Sequence, residues 1–237
     1  MEPHLQATPV CRGMVLIEER ASTDYVYFPL GALVSLDQAD GAEIALIGNE
    51  GLVGWPALVG CTRSPHRAVV RGLDGTVTKI RTDVLMKIAS EIPALASGLN
   101  RFVTVVGMQM AETIGAYALH RVDMRLARWL LLRHDRLAGD EIAVNHDEIA
   151  TNLGTRRASI TDCLHIIEGE GLVRCRRGRI VIRDRARLEA LATGCYGTAE
   201  SCYREIIGGF GKAPMRPGPP GRREEGSNSQ LLSTPVC

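Results

Sequence analysis

Apolar and polar residues alternate in two different ways along the chain. Residues 10 to 90 carry short apolar runs rich in aromatic and β-branched residues, such as YVYFPLGALVSL at positions 25 to 36. Asp40-Gly41 and Asp74-Gly75 separate successive runs, and an Asp-Gly pair between apolar runs favours a tight β-hairpin turn. Several short strands at regular spacing predict a small β-sandwich or barrel in this part of the chain.

From residue 94 onward the apolar residues follow helical spacing. Up to about residue 117 they recur at steps of three and four, which predicts one long helix with an apolar stripe. Such a stripe can pack against its own domain or against a second copy of the helix, and we favour the second alternative. The residues predicted to form this dimer contact are Leu99, Phe102, Val103, Val106, Met110 and Ile114. A second amphipathic helix is predicted from residue 121 to near Gly139.

Two short helices joined by a tight turn are predicted next. Asn145 with Glu148 three residues later is typical of a helix start, and Gly154 is typical of a helix end. The apolar face of the following helix is formed by Ile160, Cys163, Leu164 and Ile167. Because these four positions share one side of a helix, the polar residues around Arg157 must project from the other side.

A pair of helices of this kind is typical of a helix-turn-helix, whose second helix lies in the major groove of DNA. Arg157, near the start of that helix, can donate two hydrogen bonds to guanine O6 and N7, so we predict that it reads a base. The residues predicted to contact DNA beside it are Thr155, Arg156, Ser159, Thr161 and Asp162, the first three through phosphates. The alternative is a plain helical hairpin with a charged neighbour.

Positive charge is concentrated directly after this motif. The chain has a net charge of +1, but residues 1 to 92 carry eight basic and eleven acidic residues, whereas residues 121 to 193 carry fourteen and eleven. Residues 174 to 187 hold seven arginines and a single acid, in a pattern that predicts two strands around an Arg-Gly tip. This hairpin is predicted to be a wing that presents four arginines to DNA phosphates: Arg174, Arg176, Arg177 and Arg179. A solvated basic surface is the alternative for this segment.

The stretch HDEIATNLGTRRASITDCLHIIEGEGLV at 146 to 173, followed by GRIVIRDRARLEALA at 178 to 192, resembles the Crp/Fnr-type transcriptional regulators, the family of the cyclic-AMP receptor protein. The resemblance covers roughly residues 12 to 193 and implies an α+β fold. It implies a cyclic-nucleotide-binding-like β-roll as sensor domain (1–92), a dimerisation helix (93–119) and a winged helix-turn-helix (120–193). The last segment, 194–237, is predicted to be a largely disordered tail, because Pro, Gly and polar residues dominate much of it.

The resemblance also implies which residues at the start of the second helix contact bases. Arg157 matches the base-reading arginine of the family, but Ala158 replaces the acid that commonly follows it. Asp162 stands where a second arginine is common. The resemblance therefore implies a DNA target that differs from the one familiar in this family.

The effector pocket departs further from the family pattern. In nucleotide-binding members a Gly-Glu step supplies a glutamate to the ribose, and an Arg-Ser pair holds the cyclic phosphate. Here Trp55 stands in place of the glutamate, and His66-Arg67 in place of Arg-Ser. The resemblance implies a pocket formed by Gly51, Gly54, Trp55, His66 and Arg67, and the missing carboxylate argues against cyclic AMP as its ligand. The effector is not identified by the sequence.

Other features limit the cofactors and the location. The apolar runs fall short of the eighteen or so residues of a membrane span, and the N-terminus lacks the pattern of a secretory signal, so we expect a cytoplasmic protein without membrane contact. The seven cysteines show no CxxC pair, and we predict free thiols and no metal, with a redox or metal role left open for Cys195 and Cys202. Oxygen-sensing family members carry an N-terminal cysteine cluster, and only Cys11 lies there, so no cofactor is predicted.

The predicted function is that of a homodimeric, sequence-specific DNA-binding regulator of transcription. Its predicted partners are double-stranded DNA, a second copy of the chain and RNA polymerase. The alternative is a small-molecule-binding module whose winged helix contacts proteins. No paired carboxylates or nucleophile-base arrangement stands in a supportive context, so we do not expect an enzyme.

Overall fold

Two antiparallel sheets form the N-terminal part of the computed structural model, which describes residues 2–212. One sheet has the order β1 (Gln6–Val10), β7 (Gly75–Arg81), β3 (Tyr25–Leu30). The other has the order β2 (Val15–Ile17), β6 (Arg67–Arg71), β4 (Leu33–Asp37), β5 (Glu43–Ile47). Short 3₁₀ helices span Glu2–His4 and Trp55–Val59. The inner faces of both sheets enclose one apolar core, as expected for a β-roll.

One of the two Asp-Gly pairs forms the hairpin turn that the sequence predicts. Gly41 has a φ of +87°, which favours glycine, and it closes the turn between β4 and β5. Asp74-Gly75 does not form a hairpin turn, because Gly75 is the first residue of β7, which pairs with β1 and β3, whereas β6 belongs to the other sheet. The β strands predicted from the short apolar runs are present, and neighbouring strands within each sheet are antiparallel.

A short and a long helix follow the roll. Helix α1 spans Thr82–Glu91, and α2 spans Pro93–Leu119 after a break at Ile92. By length and composition α2 could cross a membrane, contrary to the expectation from the sequence, although core helices of soluble proteins meet the same criterion. One face of α2 packs on the roll, where Phe102 and Val106 are buried among the strands.

The apolar stripe of α2 faces the roll, and this corrects the predicted dimer contact. Leu99, Phe102 and Val106 are buried in the core of their own chain, so they are not available to a second copy. Val103 and Met110 are half-buried against the same core. Of the six predicted residues, Ile114 is the one that is largely exposed, at 69%.

The C-terminal part is a winged helix-turn-helix on a second core. Its helices are α3 (Val122–His134), α4 (His146–Asn152), α5 (Arg157–Gly169) and α6 (Arg185–Leu191). Its sheet has the order β8 (Glu141–Ala143), β10 (Arg179–Ile182), β9 (Val173–Arg176). Leu126, Leu130 and Leu131 of α3 are fully buried between these elements. The boundaries agree with the predicted second amphipathic helix, helix pair and hairpin.

The segment after α6 differs from the predicted disordered tail. Helix α7 spans Thr198–Ile206, and residues 194–212, here called the C-terminal strap, pack against α2 and the roll. Tyr203 is buried and its hydroxyl donates to the carbonyl of Glu50 at 2.8 Å. These contacts with distant residues give the strap a defined structure. The rest of the predicted tail, from residue 213, lies outside the described residues.

The cysteines within residues 2–212 are free thiols. Cys195 is buried and its Sγ contacts the carbonyl of Ala192 at 3.3 Å, while Cys202 is half-buried against the core of the roll. In this part of the chain no group of three or more histidines, cysteines and acids is arranged to hold a metal ion.

Candidate nucleic-acid interface

The turn between α4 and α5 is held by local hydrogen bonds. The Asn145 side chain accepts from the Glu148 amide at 2.9 Å and caps α4, as the sequence predicts. Gly154 has a φ of +53°, a conformation that favours glycine, and it ends the turn after α4. The hydroxyl of Tyr117 in α2 donates to the carbonyl of Asn152 at 2.7 Å, which ties the turn to the long helix.

Helix α5 is divided into a buried and an exposed face. Ile160, Leu164 and Ile167 are buried in the second core, and Cys163 is half-buried beside them. The exposed side carries three residues predicted to contact DNA, namely Arg156, Arg157 and Asp162. It also carries three that were not predicted to do so: Ala158, His165 and Ile166. A helix with this division can lie in a groove while its other face remains in the core.

Arg157 is free to move onto a base. Its side chain is 66% exposed, and its Nη1 lies 3.3 Å from Oδ2 of Asp147, which is similarly exposed. An exposed ion pair of this kind contributes little to stability, so DNA can replace the carboxylate at small cost.

Not every predicted contact residue on α5 is free. The Thr161 hydroxyl donates to the carbonyl of Arg157 at 3.1 Å and lies 3.0 Å from Nδ1 of His146. Thr161 therefore braces α5 against α4. Thr155 and Ser159 are half-buried at the start of the helix, where hydroxyls can reach a phosphate.

The wing presents a row of arginines beside α5. Strands β9 and β10 pair from Val173 to Ile182, and Gly178 at the tip has a φ of +73°. The four arginines predicted from the sequence are all exposed: Arg174, Arg176, Arg177 and Arg179. Arg179 Nη1 lies 2.8 Å from Oε1 of Glu141, also on the surface. Burial of the thiol between these arginines raises the pKa of Cys175 to about 11, so it stays protonated at neutral pH.

The basic run of residues 174–187 is not one continuous surface. Arg185 is 8% exposed and is paired with Asp135 at 2.7 Å and Glu189 at 2.8 Å. It also donates to the Tyr196 hydroxyl at 2.7 Å. Arg187 donates to the carbonyl of Glu170 at 2.7 Å. Arg185 and Arg187 therefore stabilise the domain, whereas the exposed arginines of the wing remain candidate phosphate contacts of this run.

The five predicted effector residues have different surroundings. A Cβ on Gly51 would lie 2.2 Å from the Phe102 ring, so α2 already fills the space beside this residue. Trp55 and His66 are both half-buried, and their rings lie 6.1 Å apart. Burial lowers the pKa of His66, which keeps its ring neutral. The remaining two predicted residues are Gly54, which caps the 3₁₀ helix, and Arg67, which is exposed and lies 3.0 Å from Glu18.

A buried polar contact that the sequence does not predict joins the two parts of the chain. Arg133 in α3 forms two hydrogen bonds with Glu43 in β5, at 2.9 and 2.5 Å, and both side chains are buried. A second unpredicted contact holds α2 on the roll: Gln109 accepts from the Leu46 amide at 2.6 Å and donates to its carbonyl at 3.3 Å. The only signal in the sequence is a charged residue inside an apolar helix, which does not reveal its partner.

Comparison with known proteins gives the same architecture. Residues 124–191 match the model of the Crp-like helix-turn-helix domain. The FixK2 protein of Bradyrhizobium japonicum has a similar structure, with a TM-score of 0.66 at 20% identity over 81% of this chain and 99% of that one. A CRP-family transcriptional regulator of Thermus thermophilus gives a TM-score of 0.66 at 18% identity over 80% and 98%. No curated protein sequence matches the chain. The fold expected from the resemblance is confirmed.

Proposed function

We propose that the chain is a Crp/Fnr-type regulator, on the basis of its fold and its Crp-like helix-turn-helix domain, and that it binds a two-fold symmetric DNA site as a homodimer. The observation that carries the proposal is the exposed start of α5 beside the exposed wing. Arg157 is available to a base there, and Arg176 and Arg177 are available to phosphates. A dimer of such domains reads two half-sites separated by about one turn of DNA, roughly 34 Å.

The outward face of α2 is the proposed dimer contact. It lies opposite the face that packs on the roll, because about 100° separates successive residues of a helix. At steps of three and four its exposed residues are Ser97, Asn100, Thr104, Gly107, Ala111, Ile114 and Ala118. This is the heptad spacing of a coiled-coil seam, and small residues at its centre allow two backbones to approach closely. Ile114 is the large apolar residue of this face.

Selection of bound sequences from random DNA tests the proposal as a whole. We expect a two-fold symmetric sequence to be enriched. Arg157→Ala should remove most of the preference for that sequence over a scrambled duplex, because a bidentate contact to guanine contributes about 1–3 kcal/mol of discrimination. Arg204→Ala is the matched control, since it removes the same charge from the exposed face of α7. Equal binding of selected and scrambled duplexes by the parent protein would contradict sequence-specific binding.

The dimer contact is tested by the mass in solution. Ile114→Glu places a charge on the proposed seam in both copies and should convert a dimer to a monomer in light scattering after gel filtration. Ala94→Glu is the control, because this exposed position of α2 lies off the seam. A dimer that persists in Ile114→Glu would move the interface to another surface.

The wing is tested by the salt dependence of DNA binding. Removing one arginine that touches a phosphate should reduce the slope of log affinity against log salt by about one. We therefore expect Arg176→Ala with Arg177→Ala to weaken binding to all duplexes alike and to reduce this slope. The alternative function, a winged helix that contacts proteins, predicts binding without such a slope. A cytoplasmic location and contact with RNA polymerase would accompany the proposed regulatory role.

The β-roll is proposed not to bind cyclic AMP. The carboxylate needed for the ribose is absent at Trp55, whose ring lies beside His66. Cyclic AMP at about 100 times its dissociation constant would stabilise a binding protein by about 2.7 kcal/mol. We expect millimolar cyclic AMP to leave the unfolding temperature unchanged, and a saturable increase would overturn this part of the proposal.

A further inference from the structure

A cavity of about 440 Å³ lies between the roll and the winged helix-turn-helix, away from the residues of the expected effector pocket. Leu33 and the turn at Gly72-Leu73 line it from the roll. Ile142 and Val144 line it from the other domain, and the wing tip at Arg177 closes one side. The volume is that of ordinary small-molecule sites, which favour the contact between two domains.

Apolar and charged side chains together line this interdomain cavity. Leu33, Ile142 and Val144 are buried, whereas Leu73 is 69% exposed although it borders the cavity. An exposed leucine beside a cavity gains free energy when a ligand covers it.

The charges around the cavity are balanced, with one exception. Glu148 pairs with Arg12, Arg133 with Glu43, and Arg179 with Glu141. Within residues 2–212, no carboxylate forms an ion pair with Arg177, which is exposed at the wing tip.

We propose that the interdomain cavity binds a small amphipathic anion, with its apolar body on Leu73 and Ile142 and its charge on Arg177. The proposed binding is argued from the cavity and does not depend on the proposed function. Its consequence rests on the proposed function: a ligand that holds Arg177 withdraws this arginine from DNA phosphate and so weakens DNA binding.

The first arm of the test uses the full chain without DNA. We expect the fluorescent anion 8-anilinonaphthalene-1-sulfonate to bind saturably, and Leu73→Asp and Arg177→Glu each to weaken it at least tenfold. Arg176→Glu is the matched control, because this neighbouring wing arginine is exposed but does not line the cavity. Decanoate should displace the probe, whereas decyltrimethylammonium, which has the same chain length and the opposite charge, should not.

The second arm measures affinity for the selected DNA with and without decanoate. We expect decanoate to weaken DNA binding by the parent protein severalfold and to leave binding by Leu73→Asp unchanged. Probe binding that is absent, or that both variants retain, would overturn the site. A site that binds decanoate without any change in DNA affinity would overturn the coupling. A protein that binds the probe but no DNA would overturn the proposed function and leave the site intact.

Discussion

Replacing Glu43 by alanine should destabilise the protein more than the loss of any exposed ion pair. Glu43 and Arg133 are 4% and 3% exposed in their side chains, and two hydrogen bonds join them. Glu43→Ala leaves the Arg133 guanidinium buried without its counter-charge. Breaking a buried pair in this way costs about 3–5 kcal/mol. At about 2–4 °C per kcal/mol for a chain of this size, the unfolding temperature should fall by roughly 6–20 °C.

Unfolding in urea followed by tryptophan fluorescence measures this loss. The chain has two tryptophans, Trp55 in the roll and Trp129 in α3, and the Arg133 guanidinium lies 3.3 Å from the Trp129 ring centroid. Single-tryptophan variants therefore report each part separately. Adding Arg133→Met to Glu43→Ala should recover much of the loss, because no charge then remains buried.

An exposed pair provides the control for this prediction. Glu18→Ala removes the partner of Arg67 at the surface, and the stability should not change measurably. If Glu43→Ala costs less than about 1 kcal/mol, or if the double variant is no more stable than Glu43→Ala, the buried pair does not fix the two parts of the chain as inferred.

Two further predictions concern packing and pH. Gly51→Ala should cost about 1–3 kcal/mol in urea unfolding, because its Cβ would lie 2.2 Å from the Phe102 ring, whereas Gly98→Ala, in open space on α2, should not destabilise. Burial lowers the pKa of His134, and Arg185 donates to its Nδ1 at 3.1 Å, so the folded state favours the neutral ring. The unfolded state then binds the proton more readily, so this contribution to stability is present above pH 6.5 and is lost as the pH falls below it. Stability at about pH 7.5 and about pH 5.5 should therefore differ less in His134→Asn than in the parent, and an equal difference would contradict the assignment.

The helix-turn-helix could be predicted from the sequence because its signals are local. The cap at Asn145, the turn glycine and the apolar face of α5 all follow one another closely along the chain, and each is determined by near neighbours. The exposed state of Arg157 follows from the same periodicity. The burial of Arg185 does not, because its partners Asp135 and Tyr196 are brought to it by the fold. The density of arginines in residues 174–187 therefore suggests a charged surface, whereas the Arg185 side chain is buried.

The face of α2 shows a different limit of sequence patterns. An apolar stripe at steps of three and four states that one side of a helix is buried, but not what covers it. Here the chain's own roll covers Phe102 and Val106. The residues of the opposite face, with Gly107, Ala111 and Ile114, have the same spacing but are weakly apolar. The pattern of the sequence is therefore dominated by the more apolar face. Contacts within one domain are permanent, so the more apolar face of such a helix is expected to pack against its own domain. The less apolar face is then left for the proposed contact with a second copy.

Contacts with residues distant in the sequence give the C-terminal strap a defined structure, although the sequence predicts that it belongs to a disordered tail. Lys212 donates to the carbonyl of Gly139 at 2.6 Å, and the hydrogen bonds from His134 and Lys212 lower the pKa of Asp140 to about 2. The Tyr203 hydroxyl reaches the carbonyl of Glu50 in the roll. The strap thus contacts both parts of the chain that the Glu43 pair joins. Any rotation of the winged helix-turn-helix against the roll must therefore break contacts at both places.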